Sequence, residues 1–179
     1  MLGSAGTGKT YLAMYLAIMS MLSSESPINR VIVVRSAVPV RSIGFLPGSL
    51  EEKMEVYELP YVSIASELLG HSKSWETLKS MGSAFIPTSY IRGITLDNAA
   101  VVVDEAENMT FQELDSVATR LGYNSRLLLA GDHAQADIGD SGLGRFMSIT
   151  NGLISRFDFK PTDITRSDFV RDYIIARDS

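Results

Sequence analysis

The octapeptide Gly3-Ser4-Ala5-Gly6-Thr7-Gly8-Lys9-Thr10 constrains this chain more than any other segment, because it runs directly into an apolar helical stretch. It fits the pattern G-x-x-x-x-G-K-[ST]. Glycines at these positions let successive backbone N–H groups turn inward and form an anion nest. The helix expected over Thr10–Leu22 aims its N-terminal dipole at the same point. In that setting Lys9 reaches β- and γ-phosphates, and the Thr10 hydroxyl ligates Mg²⁺. Gly3, Ser4, Ala5, Gly6, Thr7, Gly8, Lys9 and Thr10 are therefore the candidate nucleotide-binding residues. A plain glycine-rich turn is the alternative, and the helix-forming Tyr11–Leu22 argues against it. Only Met1 and Leu2 precede the loop, where a strand of about five residues is usual, so that strand is expected to be cut short.

Val31–Val34, Ala100–Val103 and Leu127–Ala130 are short apolar runs without alternation, as expected of parallel strands covered on both faces. Between them lie helical patterns: Leu50–Leu69, expected to break near Pro60, and Phe111–Leu121, opened by a capping box from Thr110 and Glu113. Ala84–Ile86 and Ser89–Ile91 are shorter strand candidates, and Asp168–Ala176 reads as a final helix. Strands alternating with helices predict an α/β fold with a mostly parallel sheet, and no linker or repeat divides residues 1–179.

Ala100–Val103 ends in Asp104-Glu105. At the C-terminal edge of a parallel sheet Asp104 is positioned to hold Mg²⁺ and Glu105 to polarise an attacking water. The phosphate loop ~95 residues earlier strengthens that reading. The second carboxylate favours water attack over transfer to a bound hydroxyl. Leu127–Ala130 ends in Gly131-Asp132-His133-Ala134-Gln135, where Gln135 is expected to sense the γ-phosphate or orient the water. A polar turn capping the strand is the alternative.

Composition narrows the classes. The chain has no cysteine and two distant histidines, His71 and His133, which argues against disulfide frameworks and structural zinc. Its longest apolar stretch, Tyr11–Leu22, is too short to span a bilayer and lacks a basic flank, so cytoplasm is the default. With 16 basic against 21 acidic residues, composition leans slightly against a duplex-coating protein but leaves room for a local basic groove.

The phosphate loop (Walker A), Asp104-Glu105-Ala106-Glu107-Asn108 (Walker B) and Gly131–Gln135 resemble motifs I, II and III of superfamily-one helicases. A closer resemblance is to PhoH-like proteins, through Gly44-Phe45-Leu46-Pro47-Gly48-Ser49-Leu50-Glu51-Glu52-Lys53, Tyr57, Pro60, Tyr90–Leu96, Thr119–Gly122, Ser141-Gly142-Leu143 and Phe169-Val170-Arg171. That resemblance implies a three-layer P-loop NTPase sandwich of RecA/helicase type, with ATP and Mg²⁺ as ligands and ATPase chemistry as the expectation. It also implies single-stranded RNA as a partner to test, and a homo-oligomer, a hexameric ring among the forms expected. The chain departs from the family pattern at Glu107 (usually Gln), Ser36 (usually Pro) and Asp172 (usually His). An extra carboxylate at Glu107 would repel a γ-phosphate unless paired or turned away.

Arg35 falls where helicase-like cores place a strand-contacting segment. Arg41, Arg92, Arg120, Arg145, Arg166 and Arg171 are the other arginines that could complete a phosphoryl-transfer site, Arg171 being the first choice and Arg145 the second. Besides ATP hydrolysis, two readings stay open. One is a nucleotide-dependent binding module or oligomer switch with little turnover. The other, weaker, is a small-metabolite kinase.

Overall fold

The computed structural model describes residues 1–36, 50–132 and 135–177, the side chains of 50–53 excepted. Among the described residues there are six strands: β1 (Leu2–Gly3), β2 (Arg30–Arg35), β3 (Ala84–Pro87), β4 (Ala99–Val103), β5 (Arg126–Leu129) and β6 (Asp158–Phe159). The helices are α1 (Lys9–Leu22), α2 (Leu50–Leu69), α3 (Ser74–Ser80), α4 (Phe111–Ala118), α5 (Leu143–Ile149) and α6 (Asp168–Arg177). All strand pairs are parallel, in the orders β3-β2-β4-β5 and β1-β6. A parallel bridge between Leu2 and Gly131 joins the two sheets. The combined order is thus β3-β2-β4-β5-β1-β6, with β5 between the strand that leads into the phosphate loop and the strand that Asp104 follows.

Alternation along the central strands explains the three layers. Val31 and Val33 of β2 and Ala100 and Val102 of β4 pack with Met14, Ile18, Tyr61, Trp75 and Leu78, under α1, α2 and α3. Ile32, Val34, Val101 and Val103 face the other way, onto Met109, Leu114, Val117, Leu143 and Phe146. All five residues of β4 are buried, which is why its sequence shows no polar alternation. Among the described residues no helix is long and apolar enough to cross a membrane.

Three expectations need correction. α2 runs unbroken through Pro60. The carbonyl that loses its partner belongs to Val56, which is 54% exposed, while fully buried Tyr61 and Ala65 anchor the helix after the proline; packing outweighs the lost bond. Ser89–Ile91 is not a strand: Thr88–Tyr90 is one 3-10 turn. Pro87 ends β3, and the Thr88 hydroxyl donates to Glu113 at the start of α4. Finally, α4 stops at Ala118 rather than Leu121, because Leu121 forms a bridge with Leu96. Leu96 N–H donates to Arg120 O (2.8 Å) and Gly122 N–H to Leu96 O (3.1 Å), drawing the chain into extended pairing. The Thr110–Glu113 capping box is present as expected.

Candidate functional site

Parallel pairing sends the C-terminal ends of β1, β2, β4 and β5 to one edge of the sheet. From Gly3, the last residue of β1, the backbone turns sharply, with φ of 138° at Gly3, 76° at Gly6 and 79° at Gly8. A Cβ on Gly3 would lie 2.3 Å from Phe159 O, so the loop crosses β6 where only glycine fits. Among the described residues nothing accepts a hydrogen bond from the N–H groups of Gly6, Thr7 and Gly8. The Lys9 ammonium folds back over the loop, donating to Gly3 O (2.6 Å) and Ser4 O (2.8 Å). Burial pulls its pKa below the ordinary lysine value, against the pull of Asp132, Glu107 and Asp104. From the far end of the chain, Thr165 donates its N–H (3.0 Å) and hydroxyl (3.2 Å) to Gly6 O.

Asp104 is only 6% exposed, and both its oxygens are engaged. Thr10 Oγ1 donates to Oδ1 at 2.7 Å, and Tyr61 OH donates to Oδ2 at 2.9 Å. Burial, reinforced by the Asp104 charge, pushes the Tyr61 phenol far above its ordinary pKa, so it stays a hydrogen-bond donor. Glu105 adopts the left-handed conformation (φ 49°, ψ 47°), uncommon for a non-glycine residue. Its Oε2 lies 2.5 Å from Arg35 Nη2, and the same guanidinium sits 5.7 Å from the centroid of the Tyr57 ring. Burial works against the Arg35 charge, yet Glu105 beside it holds the pKa above the ordinary arginine value.

Glu107 is 7% exposed and accepts the Asp132 N–H at 2.9 Å. Desolvation pushes its carboxyl pKa up to about 7, with Glu105 and Asp132 adding to the rise and backbone hydrogen bonds opposing it. The carboxylate that the sequence marks as a hazard is thus seated on a backbone donor and holds its proton to near neutrality. Gln135 Nε2 donates to Asp132 Oδ2.

These elements enclose a cavity of about 750 Å³ lined by Ala5–Tyr11, Asp104, Glu105, Glu107, Asp132, Gln135, Thr165 and Arg166 among others, within the usual range for small-molecule sites. Paired oxygen donors at Thr10 and Asp104, the carboxylate oriented by Tyr61, suit a small hard cation that keeps most of its water. Of the residues singled out in the sequence, Lys9, Thr10, Asp104, Glu105 and Gln135 meet in this one cavity. Arg171 lies outside its lining, on α6, paired with Asp168 (3.0 Å) and Asp172 (3.3 Å). Arg145 lies over the Phe111 ring at 4.0 Å. Sequence reasoning misses Tyr61; its phenol is the signal, since a buried tyrosine hydroxyl needs an acceptor. Arg41, Gly44–Ser49, His133 and Ala134 lie outside the described residues.

The family model described as "PhoH-like protein" matches residues 1–177. A PhoH-like protein of Bacillus subtilis is 36% identical over 183 residues, covering 99% of this chain and 57% of that protein. A PhoH-like protein of Synechocystis is 39% identical over 138 residues, 76% of this chain and 42% of that protein. Protein PhoH of Escherichia coli K12 is 34% identical over 139 residues, covering 76% and 39% respectively. The chain spans about half the length of the curated relatives it matches. With a parallel α/β sandwich that gathers loop, lysine and carboxylates at one sheet edge, and a match along nearly its whole length, the chain belongs to the PhoH-like protein family.

Proposed function

We propose that these residues form one domain that binds ATP with Mg²⁺ in the cavity and hydrolyses it to ADP and phosphate. The observation that carries the reading is the convergence of Lys9, the Thr10–Asp104 pair and Glu105 on one cavity. The loop amides and Lys9 bind the phosphate oxygens; Lys9 has only to exchange two loop carbonyls for them. Thr10 and Asp104 are the residues that would hold Mg²⁺, which when bound neutralises charge on the phosphate oxygens. Glu105 takes the proton of a water whose oxygen forms the new bond to the γ-phosphorus, while the bond to the β–γ bridging oxygen breaks. Gln135 orients that water.

Coupling to single-stranded RNA is part of the proposal. Its support is exposed Tyr90 and Arg92 just beyond β3, an aromatic platform beside a cation. A homo-oligomer is proposed as well, such as a hexameric ring in which Arg171 acts in trans on a neighbour's site. Phe169 (79% exposed) and Tyr173 (59%) flank Arg171 on α6 and give that helix an apolar surface. The alternative of a nucleotide switch with little turnover draws on the Arg35–Glu105 ion pair, which occupies the carboxylate needed for water.

The test is steady-state phosphate release from ATP with Mg²⁺, with and without single-stranded RNA, for this chain, Lys9→Ala and Glu105→Gln. Turnover lost in both variants supports hydrolysis, and stimulation by RNA supports the coupling. ATP binding with release no faster than in the variants would sink the enzyme in favour of the switch.

A further inference from the structure

We propose that Arg166 is a triphosphate-binding arginine that this chain supplies to its own nucleotide site; the inference rests on the ATP reading above. Two independent features carry it. The first is placement. Thr165 is tied to Gly6 O by both its N–H and its hydroxyl, and the neighbouring Arg166 stem lies against the loop. A Cβ added to Gly6 would meet Arg166 Cγ at 3.0 Å. The backbone on both sides of that contact is therefore held, and only the outer part of the arginine is left to move.

The second feature is charge. The residues lining the cavity carry four carboxylates, Asp104, Glu105, Glu107 and Asp132, against two cations, Lys9 and Arg166. A polyphosphate entering such a site adds several more negative charges, and a proton on Glu107 removes only one. Arg166 is exposed, and among the described residues no carboxylate pairs with it. Its guanidinium is thus available at the rim of the loop, with donors in a fork that fits phosphate oxygens bidentately. Arg166 thereby does in cis a task for which Arg171 would need a neighbouring subunit.

The deciding experiment is equilibrium titration calorimetry of the full chain with Mg-ATP and, separately, with inorganic tripolyphosphate. Wild type is compared with Arg166→Ala, Arg166→Lys and Lys9→Ala, with thermal melts as a folding control. A charge-assisted contact of this kind is worth roughly a tenfold or greater change in affinity. Arg166→Ala is therefore expected to weaken both ligands by about that factor, with Arg166→Lys recovering part of it. Unchanged affinity for both ligands overturns the proposal. So does a loss confined to ATP, which would make Arg166 a contact to the nucleoside. If wild type binds tripolyphosphate but not ATP, the ATP reading fails while loss of tripolyphosphate in Arg166→Ala still upholds the anion contact. If wild type binds neither ligand, both fall.

Discussion

Replacing Glu107 with Gln should stabilise the protein at pH 8 and leave it unchanged near pH 4. An unfolded Glu107 releases its proton near the ordinary value of 4.5, whereas the folded one holds it to about 7. Between those values the folded state binds more protons than the unfolded one, so stability falls as pH rises through the window. At 1.36 kcal/mol per pH unit, the interval corresponds to roughly 3 kcal/mol of penalty, fully developed above pH 7 and absent below 4.5. The amide of Glu107→Gln would keep a carbonyl oxygen for the Asp132 N–H, now accepted at 2.9 Å, without carrying charge into a site that is 7% exposed. The gain expected at pH 8 is therefore about 2–3 kcal/mol, or roughly 5–10 °C in Tm for a chain of this size. Urea titrations of both proteins at intervals from pH 4 to pH 8 would measure it. Other ionisable groups are common to the pair and largely cancel in the difference. A variant equal to or weaker than wild type at pH 8, or a difference that persists undiminished at pH 4, would refute the reasoning.

Tyr61→Phe removes the hydroxyl that donates to Asp104 Oδ2 while keeping the ring in the core; under the proposed Mg-ATP reading, Mg²⁺ affinity, read by titration in the presence of nucleotide, should fall about tenfold or more. An unchanged affinity would show that Asp104 needs no such partner. Arg35→Ala frees the Glu105 carboxylate from its 2.5 Å ion pair; under the hydrolysis reading turnover should fall on the order of tenfold with KM for ATP nearly constant, and a rise in turnover instead would mark Arg35 as a restraint on Glu105.

What the sequence made legible follows from how each signal is encoded. The phosphate loop, β2, β4 and β5 are written in consecutive residues, as glycine spacing or as apolar runs, and all lie within one or two residues of expectation. The same holds for the Thr110–Glu113 cap. Contributions that depend on distant partners left no such trace. β6 has two residues, too few for any periodicity. Tyr61 sits beyond Pro60, where helix propensity argues for a break, and only its burial against the sheet explains why the helix continues to deliver it. Glu107 was visible as a departure from the family pattern, but its protonation comes from burial, opposed by a backbone donor 25 positions away. Arg166 was one arginine among several, until the Thr165–Gly6 bonds gave it a place.

Those same bonds bear on how the protein is made. A ribosome delivers the phosphate loop before its partners: the hydroxyl that steadies Gly6 O comes from a residue 159 positions later, and Leu2 pairs with Asp158. Closing contacts of that span is slow and entropically costly. A nascent chain stopped after β5 would therefore display the loop without its outer wall, and completion of that wall is a late event of folding rather than a template for it.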